Sequence, residues 1–337
     1  MRAVVIQGPG RASVEQVPDP VPGPGELLVK VKACGLCGTD VHLFRGVYLG
    51  TYPLIPGHEA SGEVMALGPG VSGFAPGDRV AIEPNIACGT CRFCLSNQQN
   101  FCASWSAVGV TRPGAMAEYV VAPAQNCFLI GSLPYEEAAF MEPLSCVLHG
   151  LQQVTVEPGD HVLLLGAGPI GLLLLHALFS TGATEVTVVE RTPRRREMAA
   201  QLGARVFANL SPELRAMGEA DHFDLVVEAT GDPALISECI RLARKGGRVL
   251  LFGVPPADST ATIEPFQIFR KGLRIVSSYT SRRNSFAALR LLQGGRVQTQ
   301  HLVTHRLPLE QFPQGVQLLD RPEHVLKVMF NPELLPV

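Results

Sequence analysis

Six residues, Gly166-Ala167-Gly168-Pro169-Ile170-Gly171, constrain this chain more than any other stretch. They lie between a Val/Leu-rich run, His161–Gly166, and a helical segment, Pro169–Thr181. GxGxxG alone is weak, but between a strand and a helix it predicts the first βαβ unit of a dinucleotide-binding, doubly wound parallel sheet. Gly166 permits the tight turn, Gly168 lets the backbone approach a pyrophosphate, and Gly171 lets helix and strand pack closely. Pro169 and Ile170 open the helix, whose free N–H groups and positive dipole end face the phosphates. Glu190 ends the next run, Glu185–Glu190, where an acid bonds the ribose 2′-hydroxyl. Its charge would repel a 2′-phosphate, which argues for NAD. Arg191, Arg194, Arg195 and Arg196 follow and leave NADP open, because guanidinium groups pair with a 2′-phosphate. Thr230, Gly253 and Val254, at the ends of two later strands, complete the candidate cradle.

The alternation continues through a helix at Pro193–Leu202, a strand at Phe223–Ala229, a helix at Ala234–Arg244 and strands at Arg248–Gly253 and Leu273–Ser278. Near-continuous apolar strands imply burial on both faces, hence a parallel α/β sheet. Upstream the texture differs. Residues 1 to about 122 are rich in Gly and Pro, with short β runs at Arg2–Gln7, Glu26–Ala33, Ser61–Leu67, Asp78–Glu83 and Ala117–Ala122. Turn signals such as Pro22-Gly23-Pro24-Gly25 and Pro76-Gly77-Asp78 separate them, which predicts a compact β barrel or sandwich. After residue 285 come a helix at Phe286–Gln293 and strands at Leu302–Arg306 and Val325–Phe330. This tail is too short for a domain and is expected to complete the first one. The organisation expected is therefore 1–140 with 285–337, and 141–284.

Cys88-x2-Cys91-x2-Cys94-x7-Cys102 is a specific signal. Four thiolates on a loop containing Gly89 can wrap one tetrahedral zinc ion, with no open position, so the site is structural. An iron–sulfur cluster is the other chemistry four cysteines allow, but nothing else in the chain suggests electron transfer. A second set stands upstream: Cys37-Gly38-Thr39-Asp40 and Gly57-His58-Glu59. A thiolate from Cys37 and an imidazole from His58 suit zinc. Glu59 and Glu142, the latter in Glu142-Pro143-Leu144-Ser145, are the candidates for a third ligand. Three protein ligands leave a position for water or substrate, as catalysis requires. Cys34 makes a CxxC with Cys37, but the βαβ context of a redox pair is absent there. Asp40 reads as a cap or a support to the ligands.

Composition excludes several classes. With 46% hydrophobic and 17% charged residues the chain is globular. A net charge of −2 and no basic–aromatic stripe argue against nucleic acid. The opening MRAVVIQGPG lacks the parts of a signal peptide, and no apolar run reaches membrane-spanning length. A cytoplasmic protein is expected, with its nine cysteines reduced or on metal.

Together these residues resemble the zinc-dependent medium-chain dehydrogenases over essentially the whole chain, nearest the sorbitol (polyol) and threonine dehydrogenase branch. Cys37-Gly38-Thr39-Asp40-Val41-His42, Gly57-His58-Glu59, Glu142-Pro143-Leu144-Ser145 and the four-cysteine loop carry the resemblance. It implies a GroES-like β barrel catalytic domain plus a Rossmann domain, and two zinc ions per chain, one catalytic and one structural. It implies hydride transfer from a secondary alcohol, polyol or sugar-like substrate to NAD⁺, giving the ketone. L-threonine 3-dehydrogenase and an NADP-dependent alcohol dehydrogenase are the alternatives; no paired-charge signature for an amino acid is visible. Glu142 stands where alcohol dehydrogenases place a second cysteine, so the chain departs toward a carboxylate-liganded site. The resemblance further implies a proton relay at Thr39 and His42, and places Cys146 and His149 on the helix leading toward the nicotinamide. Arg282 or Arg283 becomes a candidate substrate arginine, and a homotetramer or dimer is expected. A non-catalytic relative would have lost Cys37, His58 or the glycines, and all are present.

Overall fold

The computed structural model describes residues 1–48, 50–321 and 323–335. The chain forms two compact units, Met1–Ser145 with Ser281–Val337, and Cys146–Thr280. The sequence sets these limits after residues 140 and 284. The helix Met141–Val154 runs through the first limit, so no turn marks it. Among the described residues no helix is long and apolar enough to cross a membrane.

The first unit is organised by its longest strand, Glu26–Gly35, whose side chains alternate between buried and half-buried positions along most of its length. It pairs antiparallel with Glu59–Leu67 and, at its N-terminal half, with Tyr119–Pro123. Its last residues pair with the returning strand Lys327–Phe330. The seven-stranded sheet thus runs Val303–Leu307, Lys327–Phe330, Glu26–Gly35, Glu59–Leu67, Arg79–Ile82, Cys127–Leu129, with Tyr119–Pro123 branching from Glu26–Gly35. Leu27, Val29, Val31, Val64, Val80 and Phe330 are buried in its core. The segment after residue 281 belongs to this unit and supplies two of the seven strands.

The second unit is a six-stranded parallel sheet in the order Arg205–Phe207, Glu185–Val189, His161–Leu165, Phe223–Glu228, Ala243–Leu251, Arg274–Ser277. The order reverses beside His161–Leu165, which makes its C-terminal end the switch point where ligands bind such sheets. Leu163, Leu165, Phe223, Val226 and Val249 fill the core. Five helices of this unit carry proline in their first turn, at Pro169, Pro193, Pro212, Pro233 and Pro265. Proline suits that position because its missing N–H would have no helical partner. The sequence reading takes the fourth of these helices as Ala234–Arg244; it spans Pro233–Leu242, because Asp232 accepts from Ala234 N and the strand begins at Ala243.

The first strand, Arg2–Gly8, is clamped at its start. Glu118 accepts from the Arg2 backbone N–H at 2.7 Å and from Arg2 Nε at 3.0 Å. Burial would raise the Glu118 pKa, but the Arg2 N–H and guanidinium outweigh it and hold it below the usual carboxylate value. A lowered carboxylate pKa contributes stability above the unfolded value of about 4.3, and that contribution is lost as pH falls through the folded pKa. Both side chains are partly exposed, so Glu118→Gln should cost only about 1 kcal/mol at pH 7. Urea unfolding should show that gap shrinking at pH 3; an unchanged gap would contradict the charged clamp.

Candidate active site and cofactor cradle

Strand register assembles a candidate metal-ligand cluster. Gly35 lies opposite Glu59 on one side and Met329 on the other. Cys37 stands two residues beyond Gly35, His58 precedes Glu59, and Lys327 precedes Met329 by two. One ligand atom from each of Cys37, His58 and Glu59 falls within 4.8 Å of the other two. His58 and Glu59 are buried, and Cys37 is partly so.

Cys37 is the N-cap of the helix Gly38–Arg45. Asp40, fully buried, accepts from the Cys37 N–H at 2.9 Å and from the Gly57 N–H at 3.0 Å. The same carboxylate sits 3.5 Å from His58 Nδ1. With Nε2 turned to a metal, that approach would make the carboxylate–histidine–metal relay of many zinc sites. Burial disfavours a charged His58, but Asp40 and Cys37 outweigh it and hold the pKa well above 6.5. Glu59 forms a buried ion pair with Lys327. Burial would discharge Lys327, yet Glu59 outweighs this and raises its pKa. A side chain at Gly35 would meet Lys327 Cε at 2.7 Å, so this pair needs glycine there. Cys34, by contrast, is an apolar core residue whose thiol is pushed well above its usual pKa, first by burial and then by Asp40.

The four cysteines of the loop also converge, all within 4.8 Å. Cys91 Sγ lies 3.5 Å from Cys94 and 4.0 Å from Cys102, and Cys88 lies 3.9 Å from Cys94. Four sulfurs bound to one tetrahedral zinc at about 2.3 Å would be about 3.8 Å apart. The N–H groups of Thr90 and Cys91 approach Cys88 Sγ at 3.5 and 3.3 Å. With the Thr90 hydroxyl, they bring the Cys88 pKa down to about 6. Burial and the neighbouring Cys91 push Cys94 up to about 12. A cation would suit this mix of a ready thiolate and a reluctant one.

In the second unit Gly166 adopts φ +100° directly after His161–Leu165, and Gly168 caps the helix Pro169–Thr181. A Cβ at Gly166 would strike Thr230 Cγ2 at 2.7 Å, and one at Gly171 would strike the Gly166 carbonyl carbon at 2.9 Å. Glu190 is buried, its two oxygens accepting from Ala167 N and Thr192 N, each at 2.8 Å. It therefore braces the glycine turn, and each oxygen keeps a lone pair for a ribose hydroxyl. Of the arginines, Arg196 bonds the Glu190 carbonyl at 2.8 Å, Arg195 Nη1 lies 3.7 Å from the Cβ position of Gly168, and Arg191 and Arg194 are exposed. Thr230 and Gly253 cluster around Glu228, which is buried at the end of its strand. Glu228 accepts from Thr230 N at 2.6 Å and Gly231 N at 3.0 Å, and its carbonyl accepts from Gly253 N at 2.9 Å. Val254 is 80% exposed.

Two families match. The alcohol dehydrogenase GroES-like domain matches residues 23–132, and the zinc-binding dehydrogenase family matches residues 169–293. D-altritol 5-dehydrogenase of Agrobacterium fabrum is 40% identical over 316 residues, covering 92% of this chain and 94% of that one. The chain belongs to the zinc-dependent alcohol dehydrogenases. An L-threonine 3-dehydrogenase of Aeromonas hydrophila is 34% identical, covering 89% of this chain and 90% of that one. A putative zinc-binding dehydrogenase of Sinorhizobium meliloti, solved with NADP bound, superposes with a TM-score of 0.93 at 34% identity, covering 98% and 99%. This dehydrogenase is accordingly an enzyme of zinc and a nicotinamide cofactor, with a GroES-like unit and a Rossmann unit.

The remaining candidates fall in different places. Thr39 is half-buried and His42 exposed on the helix that Cys37 caps. Glu142 is buried in the first turn of Met141–Val154 and is not among the residues that group with Cys37 and His58. His149 is buried and its Nδ1 meets Gln153 Nε2 at 3.3 Å; Cys146 is half-buried. Arg283 lines a cavity of about 460 Å³ with Glu83, Cys88 and Ser285, beside the four-cysteine loop. Sequence reasoning missed Lys327 and Glu228. A lone acid ending an apolar strand was a usable signal for Glu228; Lys327 had none.

Removing one partner of a buried ion pair typically costs about 3 kcal/mol or more. Lys327→Met should therefore destabilise the zinc-free dehydrogenase by about 3 kcal/mol, and the zinc-loaded one by clearly less, since the metal then compensates Glu59. Urea unfolding with and without zinc measures both; equal losses would contradict a metal at Glu59.

Proposed function

We propose that this dehydrogenase oxidises a polyol at a secondary carbon to the ketone with NAD⁺, holding one zinc through Cys37, His58 and Glu59 and a second through Cys88, Cys91, Cys94 and Cys102. The observation that carries this is the mixed thiolate–imidazole–carboxylate cluster, with Asp40 3.5 Å from the His58 ring. Glu59 is the third ligand in this reading, since it groups with Cys37 and His58 and Glu142 does not. The altritol dehydrogenase likeness supports a polyol. Amino-acid oxidation, as the threonine dehydrogenase likeness suggests, is the second reading.

When bound, zinc supplies a Lewis acid that lowers the alcohol's pKa, and the nicotinamide accepts the hydride. The chain's residues do the rest. Asp40 holds the imidazole and the helix start in one orientation. Lys327 balances the Glu59 charge. Thr39 takes the alcohol proton and His42 releases it: the two are three residues apart on one helix face, one half-buried and one in water. Glu190 supports the glycine turn and selects the unphosphorylated ribose, so NAD is preferred. Nine cysteines without a disulfide, five of them assigned here to zinc, support a reducing, cytoplasmic setting. A homo-oligomer is part of the same reading, supported by the open sheet edge at Arg274–Ser277.

Cys37→Ser and His58→Ala should each lower kcat at least about 10³-fold, in line with losing a group the transition state needs, with the circular dichroism spectrum unchanged. A panel of polyols, secondary alcohols and threonine, with and without chelator, reads the substrate. Polyol-dependent, chelator-sensitive NADH formation is expected; turnover of threonine alone, or activity in either variant, contradicts the reading. Glu190→Gln keeps an acceptor for the turn and removes the charge, so the ratio of kcat/KM for NAD⁺ over NADP⁺ should fall about tenfold or more, the factor for about 1.4 kcal/mol. An unchanged ratio would show that Glu190 does not choose the cofactor.

A further inference from the structure

Three more metal-ligating side chains converge in the second unit, at the opposite end of the sheet from the glycine turn. His161 opens its strand, Glu185 opens the neighbouring strand, and His222 immediately precedes Phe223–Glu228 on the other side. His161 and Glu185 are direct register partners. Parallel strands about 4.8 Å apart thus line up three ligand residues along one sheet edge. One ligand atom from each lies within 4.8 Å of the others. The His161 and His222 rings are 4.5 Å apart, centre to centre, tilted by 45°.

His222 Nε2 is 3.8 Å from a Glu185 oxygen, beyond hydrogen-bond length. That nitrogen is buried and has no hydrogen-bond partner among the described residues. A buried ring nitrogen left unsatisfied calls for a ligand or an ion. Phe223 holds the His222 ring in an edge contact at 5.0 Å. The nearby Asp224 is committed elsewhere, accepting from His161 N at 2.9 Å and from Arg244 Nε at 2.6 Å. The basic Arg244 is thereby neutralised and does not compete at the cluster.

We propose that His161, Glu185 and His222 form a further divalent-metal site, a two-histidine, one-carboxylate set suited to a first-row ion such as zinc or nickel. Tetrahedral donors at about 2.1 Å from a metal are about 3.4 Å apart, so the His222–Glu185 pair at 3.8 Å needs to close by only about 0.4 Å and no pair by more than about 1.4 Å. All three side chains are half-buried, which gives an ion access from solvent. His161 lies five residues before Gly166, about 16 Å along a strand, so the ion clamps three strand starts and leaves the cofactor end untouched.

The test uses enzyme holding two zinc ions per chain, as elemental analysis establishes, and Ni²⁺ as the probe, with calorimetric titration and elemental analysis of bound nickel and zinc. Wild type should take up one Ni²⁺ per chain at micromolar affinity with its zinc content unchanged, and its Tm should rise with Ni²⁺. His222→Ala and, as the milder change, Glu185→Gln should weaken that uptake at least tenfold and abolish the Tm rise, while dehydrogenase turnover stays at the wild-type level. No uptake by wild type, uptake only with matching zinc loss, or equal uptake by both variants would overturn the site and leave a surface ion pair.

Discussion

Everything at the proposed zinc centre depends on the double pairing of one strand end. Gly35 is flanked by Glu59 and by Met329, so the N-terminal part of the chain and its C-terminal return are locked in one register. A shift of one residue would turn Glu59 to the opposite face. Glu59 and Lys327 can pair inside the protein only because Gly35 presents no side chain between them. Both are buried, and neither charge would be tolerable there alone.

Buried carboxylates do the bracing at each functional turn. Asp40 joins the start of a helix, the turn at Gly57 and the candidate ligand His58 through a single side chain. Glu190 ties the end of one strand to Ala167 in the glycine turn. Glu228 organises Thr230 and Gly231 at the next strand end. In each case backbone N–H groups satisfy the oxygens, which is what makes a buried negative charge affordable. The groups proposed to touch cofactor or metal are thereby fixed before any ligand arrives, and preorganisation of that kind is where enzymes place most of their electrostatic advantage.

The chemistry that was legible in the sequence is chemistry written locally. Cys88 to Cys102, Gly57-His58-Glu59 and Gly166 to Gly171 are each compact in the chain, and their spacing follows directly from tetrahedral coordination or from a strand–turn–helix. The α/β class followed from the apolar runs around His161–Leu165 and Phe223–Glu228. Lys327 was invisible because its partner lies almost the whole chain away and only strand register joins them. Short strands such as Arg11–Gln16 and Arg205–Phe207 escaped because they are partly exposed and carry no strong alternation. The helices opened by Pro212 and Pro265 had their start signal, but each is short and follows a loop, so the signal went unread. Asp40 was read as a support, and its geometry shows what it supports.

Zinc K-edge X-ray absorption on the zinc-loaded protein tests the central claim most directly. In a His222→Ala background, one centre built from Cys37, His58 and Glu59 and one from four cysteines would give a mixed first shell, sulfur at about 2.3 Å with nitrogen and oxygen at about 2.0–2.1 Å, and imidazole scattering that disappears when His58→Ala is added. A shell of sulfur alone, or imidazole scattering that survives His58→Ala with both zinc ions retained, would contradict it.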